Sequence, residues 1–366
     1  MKKVAGIRCL MLIIAAAVFA APALGQTSSL PNLPEADALV YMNFRRILGE
    51  ALPRVLPEKL QADMKNGIDQ IKQKTGIDLY GVENAAVALR FANMAAGAAP
   101  DFVFVVRGSF NADALLSAMR IALQGKYKEE KYGSKTLTSL NLSELMNSSG
   151  GKGGPTIPGV SEISVTALDQ GTLAAGNPAY LKATIDAQGG QGGIKPELSA
   201  LSMRDPNALF SVAGIIPPGL LNGIFGKQIQ GNEEISKLVA GIDQVYLALG
   251  MDAANFTVLL TVRTGSAEHA RTLSGLMDMV THGMGSEIKD KAAKEALDAL
   301  KVTVEDTEVQ VRTAIPQDTA ATFLRNLLQP PVKQAVSPTA PEPAPKATQK
   351  KPAQRRATAK KPARKP

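Results

Sequence analysis

The segment "VVRGSFNADALLSAM" (105–119) is met again, about 156 residues later, as "TVRTGSAEHARTLSGLM" (261–277), with Arg107 set against Arg263 and Leu115 against Leu273. Around each copy the same order of patterns runs. In the first half "ADALVYMNF" reads as a strand, 56–74 as a helix, "ENAAVALRF" and "DFVFVVRGSF" as strands and "NADALLSAMRIAL" as a helix. In the second, "PNALFSVAG", "NEEISKLVAG", "IDQVYLALGM", "FTVLLTVRTG" and "SAEHARTLSGLMDMV" follow in that order. Each half closes with a two-stranded hairpin and a helix. A chain built this way reads as an internal duplication, and this constrains the fold more than any other feature.

The alternation within the hairpins sets the type of sheet. In "VTVEDTEVQVRTA", Val302, Val304, Val309 and Val311 fall on one side with charges between them, and the turn at Glu305–Thr307 is tight. That is antiparallel pairing with one solvated face. The helices carry a single apolar stripe, as Leu60, Met64, Ile68 and Ile71 do, and Ile288, Ala292, Leu297 and Leu300 approximately. The expected fold is α+β: mostly antiparallel sheets with helices packed on one face, in two tandem similar halves, with a disordered C-terminal tail. Residues 26–188 form the first expected repeat domain and 194–330 the second. The Gly-rich "GGQGG" at 189–193 is the boundary, and "NSSGGKGGPTIPG" at 147–159 a long loop.

The N-terminus excludes more functions than any other stretch. Lys2, Lys3 and Arg8 precede an apolar run from Cys9 to Phe19 and a small-residue site at Ala23–Gly25, so residues 1–25 read as a secretory signal peptide cleaved near Gln26. The apolar run is short of the roughly 20 residues a spanning helix needs, so no transmembrane helix is expected in the mature chain. Cys9 is the single cysteine, so the mature protein has no disulfide, thiol nucleophile or thiolate metal site. The expected location is periplasmic or extracellular.

The net charge of +8 is misleading until it is divided. Residues 331–366 hold ten Lys or Arg against Glu342 alone, giving +9, and the signal adds +3; residues 27–330 keep 28 basic against 32 acidic residues, a net of −4. The tail holds eight of 23 prolines and no large apolar residue beyond Val336, so it cannot build a core. As a flexible chain it reaches roughly 30 to 36 Å. Its Lys-Lys-Pro-Ala repeats resemble the tail of linker histones. In an exported chain, however, the anions within reach are envelope polymers, cell wall and lipopolysaccharide, and nucleic acid is not the expected partner. The polyanion-binding candidates are Lys350, Lys351, Arg355, Arg356, Lys360, Lys361, Arg364 and Lys365. No aromatic residue lies among them to stack on bases.

Catalytic motifs are sparse. There is no Gly-x-Ser-x-Gly elbow, and "YGSKT" lacks the glycine a phosphate loop needs directly before its lysine. The two Ser-x-x-Lys matches, Ser149–Lys152 and Ser286–Lys289, are at the level of chance, and "GGKGG" and "GGQGG" lack the strand and helix of a dinucleotide site. Of the two histidines, His269 falls in a first helical turn after the cap Ser266, and His282 precedes a C-terminal cap at Gly283. Thirteen residues apart, they are too distant to share a metal. No catalytic residue, cofactor or metal is expected.

The uncharged stretch 207–226, "NALFSVAGIIPPGLLNGIFG", is read as strand, turn and helix start. It is apolar enough to line a groove for lipid or for the partner half.

The segments "LPEADALVYMNFRRIL" and "TGIDLYGVENAAVAL" and the doubled element order resemble secreted bacterial proteins grouped as domains of unknown function. The resemblance implies export and architecture and carries over no site residue. The expected function is a non-catalytic exported envelope protein whose basic tail adheres to anionic polymers. The alternatives are a periplasmic carrier or chaperone for an apolar ligand, and a hydrolase with an unrecognised site.

Overall fold

A computed structural model describes residues 32–76, 78–92, 99–142, 159–221, 233–285 and 291–328. The signal peptide, the loop at 143–158, both Ser-x-x-Lys lysines and the basic tail lie outside them, and the compact body ends at Leu328.

Among the described residues twelve strands make one antiparallel sheet in the order β11-β12-β10-β9-β8-β1-β2-β3-β7-β6-β5-β4. They are β1 (Ala38–Met42), β2 (Val82–Arg90), β3 (Asp101–Gly108), β4 (Lys128–Tyr132), β5 (Lys135–Asn141), β6 (Glu162–Asp169), β7 (Thr172–Gly176), β8 (Ala208–Ile215), β9 (Ile242–Met251), β10 (Asn255–Thr264), β11 (Lys301–Glu305) and β12 (Glu308–Pro316). Outward from the central β1–β8 pair the order runs β1-β2-β3-β7-β6 on one side and β8-β9-β10-β12-β11 on the other. The Arg107 and Arg263 strands both stand third from the centre. The first side alone carries the extra hairpin β4–β5.

The expected antiparallel α+β class holds. The two expected domains share this one sheet, since β1 and β8 pair along their length, from Ala38 opposite Gly214 to Met42 opposite Phe210. Both free edges are short and charged, "KEEKY" in β4 and "KVTVE" in β11, which blocks edge-to-edge addition of another chain.

The helices are α1 (Phe44–Arg46), running through a π turn at Ile47–Ala51 into α2 (Leu52–Val55), α3 (Glu58–Thr75), α4 (Ala112–Leu123), α5 (Pro178–Gln188), α6 (Pro196–Ser202), α7 (Glu233–Ala240), α8 (Ala267–Gly285), α9 (Lys291–Asp298) and α10 (Gln317–Leu328). Local chemistry starts and stops them. Asn111 Oδ1 accepts from the Ala114 N–H at 2.9 Å and Ser266 Oγ from the His269 N–H at 3.2 Å, capping α4 and α8. Gly76, at φ 73°, ends α3 in the left-handed conformation. At the other end of α8 the sequence reading needs correction. The helix passes through Gly283 and continues to Gly285, so Gly283 is not its cap.

The expectation that helices cover one face is also corrected. Helices α5 and α6 bury Tyr180, Leu181 and Leu198 against one face of the sheet, on Leu39, Ala86, Val105 and Ala213. Helix α4 packs on the opposite face, on Val165, Ala167 and Leu173. Helix α9 is on that opposite face too, where Thr313 Oγ1 donates to the Ala296 carbonyl at 3.1 Å. The physical reason lies in the central strands, which are apolar on both faces and so demand cover on both. A separate cluster closes one end of the strands, where Ile47, Leu52, Ile68, Met251, Phe256 and Leu324 bring α1–α3 and α10 together.

Candidate functional site: an apolar face of the sheet

Successive residues of a strand alternate between faces, so each strand of the central five, β3-β2-β1-β8-β9, writes two separate rows. On the face under α5 and α6 most side chains are fully buried: Leu39 is 1% exposed and Ala88, Val103, Ala213, Tyr246 and Ala248 are 0% exposed, while Tyr41 and Ile215 are half-buried. Tyr246 is held there by the Asp205 N–H, which donates to its hydroxyl at 3.1 Å, and burial pushes its pKa up to about 12. Tyr180, whose hydroxyl donates to the Glu35 carbonyl at 2.7 Å, is pushed up likewise by burial.

On the other face the registers place Phe104 beside Val87, Val87 beside Val40, Val40 beside Val212 and Val212 beside Leu247. Every residue of this row is half-buried. The row continues through Leu260 and Val311, also half-buried. A parallel row on one side runs Phe102, Leu89, Ala38, Gly214 and Val245; on the other it runs Val106, Ala85, Met42, Phe210 and Leu249. No member of these rows is charged or carries a hydrogen-bonding side chain. The face is therefore apolar across five strands, a width of about 19 Å at roughly 4.8 Å between strands. Helix α4 stands over β6 and β7 at one side, and α8 lies against β10, β11 and β12 at the other.

Two polar clefts lie elsewhere. One, of about 450 Å³, is lined by Arg204, Asp205, Asn207, Asp252, Gln310 and Arg312. Its strongest contact is structural: Arg204 grips Glu308 with both nitrogens, Nη1 donating to Oε2 at 2.8 Å and Nη2 to Oε1. The Arg204 guanidinium holds the Glu308 carboxyl below the usual carboxylate range. Asp252 is held low by the backbone N–H groups of Ala254 and Asn255, the mark of a turn carboxylate. The other cleft, of about 610 Å³, is lined by Asn111, Asp113, Arg120, Lys135 and Asp169 among others. There Arg120 pairs with Glu129 at 2.8 Å and Lys135 Nζ donates to the Leu168 carbonyl at 2.5 Å. These cations are engaged in holding elements together.

The polyanion-binding candidates Lys350, Lys351, Arg355, Arg356, Lys360, Lys361, Arg364 and Lys365 lie outside the described residues. Among the described residues no helix is long and apolar enough to cross a membrane, and no cluster of His, Asp and Glu could hold a metal ion. His269 sits in the first turn of α8, beside Gly241, where it packs as expected of a helix-start residue. Over residues 207–221 the stretch is strand β8, then a turn at Pro218–Gly219 and a helix start at Leu220, as its sequence suggests. Its lack of charge has two causes: β8 is paired on both sides at the centre of the sheet, and Phe210 and Val212 stand on the apolar face.

Sequence reasoning singled out only the β8 portion of this face, within the uncharged stretch 207–226, and missed the strands beside it. The signal was present, because "NAAVALR", "FVFVVRG" and "VYLALGM" are nearly continuous apolar runs rather than alternating ones. Such runs announce apolar surface on both faces without saying whether both are sealed.

No protein-family model matches the chain, no curated protein matches it, and so no characterised family is matched. Among solved structures it is similar to crystal form I of TP0453, with a TM-score of 0.42 and 9% identity over 83% of this chain and 100% of that one. Crystal form III of TP0453 is comparable, with a TM-score of 0.41 and 10% identity over 82% and 100%. Likeness of this degree carries no argument about activity.

Proposed function

We propose that this chain is a non-catalytic protein exported to the cell envelope, whose sheet serves as a platform for an apolar ligand. The observation that supports it is the row Phe104-Val87-Val40-Val212-Leu247, uncharged and half-buried, while Leu39, Ala88, Val103, Ala213 and Tyr246 on the opposite face of the same strands are fully buried. Incompletely covered apolar surface costs roughly 25 cal/mol per Å² in water, so a ligand that covers it gains that free energy. The absence of a cysteine from the mature chain, of a serine elbow and of a paired histidine supports a role without chemistry. The test is titration of the full-length chain with Nile red, whose emission shifts blue and brightens in an apolar site. Saturable binding is expected, and a spectrum like that in buffer refutes the platform.

The tail supports a second, compatible role. Its +9, set against −4 for residues 27–330, fits adhesion to anionic wall or lipopolysaccharide through Lys350, Lys351, Arg355, Arg356, Lys360, Lys361, Arg364 and Lys365. Point-charge binding of this kind weakens as the Debye length falls from about 8 Å at physiological ionic strength to about 3 Å at 1 M. Deleting residues 331–366 is expected to abolish pull-down by purified envelope polymer and leave folding unchanged. Equal or salt-insensitive binding by the truncated chain overturns this role. N-terminal sequencing of the exported chain is expected to begin near Gln26.

A further inference from the structure

We infer that the cleft of about 450 Å³ beside Arg204 takes a free α-amino acid, its ammonium at Asp205 and its carboxylate at Arg312. Leu259, Gln310 and Arg312 of this cleft stand on the face that carries Tyr246, opposite the apolar row, so the site is independent of the platform.

The two halves differ at matching places. Asp101 and Thr257 each stand six residues before the paired arginines Arg107 and Arg263, and across from them on the inner strands are Arg90 and Gly250. In the first half Arg90 fills the space: its Nε and Nη2 donate to Asp101 Oδ2 at 3.1 and 2.7 Å, and its guanidinium lies 5.1 Å from the centre of the Tyr180 ring on α5. In the second half Gly250 brings no side chain. A Cβ there would stand 2.8 Å from Thr257 Oγ1, 3.1 Å from Asp205 Oδ2 and 3.3 Å from the Asn207 carbonyl oxygen. Oxygens therefore gather where the other half keeps a cation of its own. The Asn207 carbonyl accepts from Arg46 Nη1 at 3.0 Å, and Asp205 Oδ1 accepts from the Asn207 N–H at 2.9 Å. Asp205 Oδ2 and Thr257 Oγ1 have no partner among the described residues, and an ammonium supplies donors for both.

The outer strand carries the opposite charge. Val103 pairs with Gly176 in the first half, whereas the matching Leu259 pairs with Arg312. Lys301 stands directly across from Arg312 on β11, and like charges so placed repel. Both are exposed, and neither has a hydrogen-bond or ion-pair partner among the described residues. A carboxylate laid against the Arg312 fork relieves the repulsion and pairs with the guanidinium at two points.

Size and charge agree with one small zwitterion. Gly250 and Arg312 lie two strands apart, roughly 9–10 Å. An ammonium and a carboxylate on one carbon, with a charged hydrogen bond of about 2.8 Å at each end, span roughly 8–9 Å. A ligand with only negative charge would meet Asp205 and Asp252, and one with only positive charge would meet Arg312. Buried Leu259 and Met251 leave an apolar floor for a side chain.

The test starts with the full-length chain and each common amino acid at millimolar concentration, read as a shift in thermal unfolding. At least one is expected to raise the midpoint. Calorimetry then compares that amino acid with its N-acetyl derivative, which lacks the ammonium, and its amide, which lacks the carboxylate. Each is expected to bind about tenfold more weakly or worse, the loss of one charge-assisted contact. Asp205→Asn is expected to weaken the amino acid equally and to abolish the preference over the N-acetyl form. Arg312→Gln is expected to do the same for the preference over the amide. Asp113→Asn, in the other polar cleft, is expected to change nothing. If no amino acid shifts the midpoint, or if either derivative binds as the parent compound does, the inference is overturned. It is overturned too if Asp205→Asn and Arg312→Gln, with unchanged circular dichroism, keep full affinity. Nile red binding is expected to be unaffected by saturating amino acid, so failure of the platform and failure of this site are read separately.

Discussion

Adjacent residues Leu39 and Val40 on β1 give the most direct measure of how differently the two faces are covered. Leu39 is 1% exposed, packed with Ala86, Val105 and Tyr180 in the closed core, whereas Val40 points to the half-buried row. Truncating Leu39 to alanine removes three carbons from a site that cannot collapse, and Leu→Ala in such cores costs about 2–5 kcal/mol. Val40→Ala removes two carbons, about 1.6 kcal/mol at 0.8 per methylene if fully buried. With the residue only half-buried and no sealed cavity left behind, the expected loss is about half of that, near 0.8 kcal/mol. The contrast grows with charge. Val40→Lys can carry its ammonium to the edge of the face and is expected to cost about 1–2 kcal/mol, while Leu39→Lys is expected to leave no folded protein. Urea unfolding followed by far-ultraviolet circular dichroism measures all four. The chain has no tryptophan, so near-ultraviolet signals from the fully buried Tyr180 and Tyr246 serve as the tertiary probe. Equal losses at the two positions, or loss of the fold in Val40→Lys, would refute the reasoning, because the second face would then be as sealed as the first.

Three further outcomes are expected. Glu308→Gln removes the two-point contact with Arg204 and should cost about 1–3 kcal/mol at neutral pH. Because the Glu308 carboxyl is held low in the folded state, its contribution is present above the unfolded value near 4.3 and fades as pH falls through the lower folded value, so parent and variant should converge in acid urea titrations. Gly176→Ala puts a Cβ 2.2 Å from the Phe102 carbonyl oxygen where β7 meets β3, and should lose about 1–3 kcal/mol or more in urea unfolding. Gly67→Ala, inside α3 with nothing within 4 Å of the new carbon, should instead gain up to about 1 kcal/mol in the same assay.

Much of the secondary structure was legible because it is written in local chemistry. Asn111 and Ser266 start helices where a side-chain oxygen can reach a free N–H, and Gly76 stops one where only glycine adopts the backbone turn at ease. The turn at Glu305–Thr307 was legible for the same reason, with Asp306 at φ 49° supplying it. The end of α8 was misread at Gly283, since glycine permits a stop without enforcing one and the residues beyond it continue the helix.

The sequence by itself determined the element order, the antiparallel class, the acidic body with its separate basic tail, and the poverty of catalytic groups, because each depends on residue type and on neighbours a few positions away. The tertiary structure alone decided that β1 and β8 pair, that the halves share one sheet, and that α4 and α5 take opposite faces. It also decided which apolar face is sealed. Val40 and Leu39 are both aliphatic and one residue apart, and nothing in their identity says which will lie beneath a helix. Coverage depends on where segments distant in sequence come to rest, and that depends on the packing of the whole chain.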